Sequence, residues 1–147
     1  MVWRGMLSAL RNRGSIRTNR RGSVAFEFAI ITPMFLSLMV GGLEFAFVMF
    51  SYSAIQNGTD FAARTISTNN ALASDATNLV RSRVPDWLQS SVNVSVTQTS
   101  LVDARQNVIT VRSTASAANM TPIPIFATAY PWTLTTNVVA IQELPMT

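Results

Sequence analysis

Two glutamates, Glu27 and Glu44, lie in an otherwise uncharged apolar stretch, and any chemistry in this chain would start from them. A carboxylate in apolar surroundings serves either as an acid or base or as the partner of a cation. On a helix, their separation of 17 residues amounts to roughly 25 Å along the axis and about 100° around it. They share neither a level nor a face, so they are not a catalytic pair. The sequence has no histidine, cysteine or lysine, which removes imidazole and thiolate metal ligands, disulfides and the commonest general base. Serines and other carboxylates are present without an activating base or a glycine-rich phosphate loop. We expect no enzyme activity, no cofactor and no metal.

The ion-pairing alternative makes the cations important. All eleven basic residues are arginine, and six of them (Arg4, Arg11, Arg13, Arg17, Arg20 and Arg21) fall in the first 22 positions, where there is no acid. The remainder carries five arginines against seven acids, or −2, so the overall charge of +4 describes the tail alone. Nucleic-acid binding needs a basic stripe on a folded face, and the folded part here is mildly acidic. No nucleic-acid partner is expected.

The element that positions both glutamates is a long apolar helix. From Phe28 to Leu43 there are sixteen residues without a charge, and from Val24 to Phe50 only Glu27 and Glu44 are charged among 27. Such a helix reaches roughly 40 Å, against a hydrocarbon core of about 30 Å. A soluble core helix would show a polar stripe, but Phe28–Leu43 offers only Thr32 and Ser37. A cleaved secretory signal would have a shorter apolar region and an A-x-A-like site, and nothing after Gly42 fits that pattern. Arginine-rich short segments stay on the cytoplasmic side, so the tail is expected inside and the C-terminal body outside.

An acid inside a membrane helix is disfavoured by roughly 2.5–3.5 kcal/mol at its centre and by less toward its ends. Glu27 therefore either reaches water at the headgroups or has a partner. Outward from Arg20 the sequence reads RRGSVAFEFAIITP. This resembles the processing site of type IV prepilins, in which a membrane peptidase cuts after a glycine and glutamate is the fifth residue of the mature chain. The resemblance implies a cut between Gly22 and Ser23, with Glu27 as the assembly contact. In a filament the new amine of one subunit would meet the carboxylate of a neighbour, and pairing removes much of the cost of a charge in apolar surroundings.

The pattern further resembles the TadE-like pseudopilins of the tight-adherence (Flp) pilus system. The residues that carry the likeness are Arg21, Gly22, Ser23, Val24, Ala25, Phe26, Glu27, Phe28, Ala29 and Pro33, then Gln56, Asn57, Ala62, Ala63 and Arg64. It covers about forty-five residues of the chain. Ser23 stands where many type IV pilins have phenylalanine, and small residues there occur in the tight-adherence branch. The resemblance implies a minor pseudopilin, because the major pilins of that system are little more than a leader and a helix. It also implies as partners a prepilin peptidase, the major Flp-type pilin, other minor pseudopilins and the pilus assembly platform. The alternative is an unprocessed single-pass scaffold that assists assembly or secretion. In either case the expected location is the bacterial inner membrane, with the lipid bilayer itself as a partner.

Other helix contacts are expected at Phe28, Pro33, Gly41, Gly42 and Glu44. Pro33 frees the carbonyl of Ala29, which Thr32 is placed to satisfy. Gly41 and Gly42 permit a bend or a close approach. Glu44 is expected at the membrane interface, or against a partner subunit.

Past the membrane, Ile55, Ala62 and Ile66 keep a helical rhythm, Asp60 and Arg64 are spaced as an i,i+4 pair, and Thr68, Asn69 and Asn70 end the helix. Ser74 or Asp75 caps a short helix reaching Val84, before Pro85. Val92, Val94 and Val96 alternate with polar residues, as do Ile109, Val111 and Ser113, and Trp132–Ile141 reads as a third strand. The apolar residues of the proline-marked loop from Met120 to Pro131 either cover the sheet or form an exposed contact patch, and covering is the expectation, exposed patches being the rarer case. The predicted fold class is α+β and pilin-like: a long N-terminal helix, membrane-spanning in its first half, packed on a small antiparallel sheet. The expected organisation is a basic leader at 1–22, a transmembrane helix at 23–53 and an extracytoplasmic domain at 54–147.

Overall fold

A computed structural model describes residues 20–100, 102–129 and 132–143, so the leader arginines before Arg20, and Tyr130 and Pro131 of the proline-marked loop, lie outside the described residues. The apolar run forms one helix, α1 (Arg20–Ser67). The chain divides into two compact units, Met1–Met39 and Val40–Thr147.

In the first unit, α1 presents apolar side chains to its surroundings on every side. Phe26, Phe28, Met34 and Leu38 are all strongly exposed, and none of the most apolar window of the helix is buried. By length and composition this helix can cross a bilayer. Pro33 sits inside it. The expectation that Thr32 serves the carbonyl of Ala29 is corrected: its hydroxyl donates to the carbonyl of Phe28 at 2.6 Å, because the back-bond reaches four residues and not three. Ser37 donates likewise to Pro33, at 2.7 Å. Both hydroxyls are satisfied within their own helix, as a lipid environment requires.

In the second unit α1 becomes amphipathic. Glu44, Val48, Ser51, Ile55, Thr59, Ala62 and Ile66 are buried at spacings of three and four, which places them on one face. The polar members of that face are bonded. Ser51 donates to the carbonyl of Met120 at 2.6 Å, and the Thr59 hydroxyl shares hydrogen bonds with the Ile55 carbonyl and the Ser113 hydroxyl, each at 2.7 Å. On the outer side Arg64 pairs with Asp60 at 3.0 Å. Gly58 lets the next helix come close: a Cβ there would lie 3.0 Å from the carbonyl oxygen of Val80.

The helix ends as its polar tail suggests. Asn69 adopts φ 60°, its N–H bonds to Ile66 and that of Asn70 bonds to Thr65, the paired bonds of a Schellman cap. Two short helices follow, α2 (Ala76–Arg81) and α3 (Asp86–Gln89). Asp75 occupies the N-cap position of α2, but its carboxylate accepts from the N–H of Leu72 instead of capping the helix. That helix stops short of Val84, since Pro85 disfavours helical backbone just before it.

Strands β1 (Asn93–Gln98), β2 (Val108–Ser116) and β3 (Thr133–Ile141) form an antiparallel sheet in the order β1-β2-β3. The register pairs Val96 with Val111 and Val111 with Val138. Along β2, Ile109, Val111, Ser113 and Ala115 are buried, and Ser113 meets Thr59 of α1, so this face of the sheet is the one the helix covers. Arg112, between them, is exposed, giving the one-sided burial usual in antiparallel sheets. The core joins Ile55 and Ile66 of α1, Val80 of α2, Leu88 of α3, Val92, and Ile109 and Val111 of β2. The fold is thus α+β: a long apolar N-terminal helix and a small three-stranded sheet.

Candidate processing and assembly site

The residues expected to carry processing fall at the start of α1. Gly22 lies within the first turn of the helix. It is exposed, and a Cβ added there would meet nothing within 4 Å. The first N–H groups of a helix have no intrahelical acceptor, and glycine is less favourable than alanine by about 0.8–1 kcal/mol in a helix interior. The first turn is therefore the part of α1 most easily drawn into an extended conformation. Glu27 follows on the same helix in an exposed position, beside the exposed ring of Phe28.

Gly41, Gly42 and Glu44 belong to the second unit, and their environments differ. A Cβ on Gly41 would touch the ring of Phe126 at 3.5 Å, ordinary contact distance, whereas Gly42 has open space. Glu44 is only 5 % exposed. Its two carboxyl oxygens accept the backbone N–H groups of Phe126 and Ala127, at 2.8 and 2.7 Å. The partner of this acid is thus the chain's own proline-marked loop. The contact joins residues 82 and 83 positions apart, and its one local signal is a charged residue on an apolar helix with no cation nearby in sequence.

The same loop departs from the expectation that its apolar residues cover the sheet. Met120 and Ala127 are buried, but through Ser51 and Glu44 they are tied to α1, while Ile123, Ile125 and Phe126 remain exposed. Phe126, Ala127 and Trp132 close an open groove of about 360 Å³ against Gly41, Phe45 and Val48. Among the described residues no group of acids is arranged to hold a metal ion.

A helix long and apolar enough to span a bilayer, together with a small α+β body, gives the class: a membrane-anchored α+β protein. Residues 22–64 match the family model described as TadE-like protein. The match opens on Gly22, contains Glu27, Pro33 and Glu44, and closes on Arg64, so it follows α1 and leaves the sheet outside. No curated protein and no solved structure matches the chain.

Proposed function

We propose that the chain is a minor pseudopilin, cut by a prepilin peptidase between Gly22 and Ser23, that takes part in assembling a tight-adherence (Flp) type IV pilus. The observation that carries this reading is Glu27, an acid on an exposed, apolar stretch of α1 five residues beyond Gly22, within the segment that matches the TadE-like family. Cleavage would create an amine at Ser23 one helical turn from Glu27, at the level where a neighbouring subunit's carboxylate can meet it. Pairing offsets much of the cost of holding either charge in apolar surroundings.

In this reading residues 1–22 are a cytoplasmic leader, 23–53 the span and 54–147 the domain outside the inner membrane. The partners are the peptidase, the major Flp-type pilin, other minor pseudopilins and the assembly platform. The role is structural, not enzymatic.

A second reading, an unprocessed membrane scaffold, is favoured by one observation: Gly22 lies in helical backbone, which a peptidase must first unwind. N-terminal sequencing of the chain recovered from its native membrane separates the two. A chain beginning at Ser23 supports processing, and an intact leader overturns it in favour of the scaffold.

A further inference from the structure

Aromatic side chains from three distant parts of the sequence converge on one level of α1. Phe45, Phe47 and Phe50 project from the helix and are exposed. The ring of Phe47 meets Trp87 of α3 edge-to-face, with centroids 6.5 Å apart. Phe126 and Trp132 stand against Gly41 and Phe45 across the open groove. Trp87, Phe126 and Trp132 are 42 %, 43 % and 44 % exposed, so each has one side packed and the other uncovered. A domain surrounded only by water gains nothing by gathering six such rings at one end.

Helix length says what covers them. Arg20 and Arg21 cannot enter hydrocarbon, so the apolar run begins at Val24. Twenty residues from there, to Leu43, fill a hydrocarbon core of about 30 Å at about 1.5 Å per residue. The outer boundary of the hydrocarbon then falls beside Glu44, and the helix from Phe45 to Phe50 passes through the headgroup layer. Tryptophan concentrates in that layer, where its apolar ring and polar N–H are both accommodated, and phenylalanine on the apolar side of an interfacial element is buried just beneath it. The clasp at Glu44 suits the same depth: a carboxylate at the edge of the hydrocarbon, with little access to water, takes its hydrogen bonds from the N–H groups of Phe126 and Ala127.

We propose that the aromatic rim formed by Phe45, Phe47, Phe50, Trp87, Phe126 and Trp132 is a lipid-docking surface, by which the body sits on the outer headgroup layer of the bilayer that its helix crosses. This rests on the reading of α1 as a membrane span. It moves the outer end of the span from Ser53 to about Leu43 and gives the loop after Met120 a role: it carries Phe126 and leads to Trp132 at the lipid surface. The docked state also sets the depth from which a subunit would be extracted into a filament.

The test uses the full chain reconstituted in phosphatidylcholine vesicles with Trp3→Phe combined with either Trp87→Phe or Trp132→Phe, so that one tryptophan reports in each variant. Lipids brominated near the headgroup, at mid-chain or near the chain end serve as depth quenchers, and flotation after alkaline extraction scores integration. Each remaining tryptophan is expected to emit at shorter wavelength than in water and to be quenched most by the shallow bromines. An integrated chain whose tryptophans escape every brominated lipid but are quenched by aqueous acrylamide overturns the proposal. So does an integrated chain shielded from both quenchers, which would mean that another copy covers the rim. Loss of integration would instead overturn the span itself, and the rim with it.

Discussion

Glu44 and Ala127, 83 residues apart in the chain, are joined by a 2.7 Å hydrogen bond from the Ala127 N–H to the Glu44 carboxyl group. With the adjacent bond from Phe126, both carboxyl oxygens are used, and the loop is held to the side of α1 where the apolar run enters the body.

Glu44→Gln should weaken this clasp without emptying it. The amide oxygen keeps one acceptor, but its NH2 group faces a backbone N–H, so one buried bond is lost and two donors oppose each other. The expected cost is about 1–3 kcal/mol. Thermal unfolding in detergent reads the loss, and hydrogen exchange should accelerate at Phe126 and Ala127 specifically. Unchanged exchange at those two amides would refute the clasp.

Thr59 and Ser113 provide a second cross-link, buried between α1 and β2 at 2.7 Å. Thr59→Val strands the Ser113 hydroxyl in the core at a cost of about 1–3 kcal/mol. The double variant Thr59→Val with Ser113→Ala removes both polar groups, so it should be destabilised by less than the sum of the two single changes. Strict additivity in denaturant unfolding would show that the hydroxyls do not support each other.

Gly58→Ala sets two effects against each other. Alanine favours the helix by about 1 kcal/mol, while a Cβ pressed to 3.0 Å from the Val80 carbonyl oxygen costs about 1–3 kcal/mol if α2 does not shift. A net decrease in melting temperature is expected. An increase would mean that α2 yields easily, and that Gly58 is not required by close packing.

Glu27→Gln tests the assembly contact. Because Gly22 and Ser23 are untouched, the leader should still be removed, while incorporation into pili and piliation should fall. Cleaved protein with normal piliation would count against the pairing of Glu27 with a neighbour's amine, and would leave the membrane anchor unaffected.

Much of this architecture follows from local patterns. Alternation of Val94 and Val96 with polar residues, and of Ile109 with Val111 and Ser113, marks β1 and β2 because side chains in a strand point to opposite faces. Asn69 marks the end of α1 because asparagine tolerates the left-handed conformation of the cap. Asp60 and Arg64 form the ion pair their spacing implies. A helix long and apolar enough to cross a bilayer is legible for a similar reason, since length and apolarity are sums over neighbours in sequence.

What sequence alone determined is therefore the helix, its charge pattern, the strands and the motif around Glu27, all of which depend on residues within a few positions of one another. Tertiary structure decided the fate of Glu44 and of the loop after Met120. A carboxylate on an apolar helix announces that it needs a partner, but nothing local says whether that partner is water, another subunit or two backbone N–H groups from a loop 82 and 83 residues away. Nor does any local pattern bring Trp87 to Phe47 or set Trp132 and Phe45 around one groove. Those arrangements arise only when α3 and the sheet fold back on α1, because buried polar groups and apolar rings are satisfied by whatever the chain brings beside them in space.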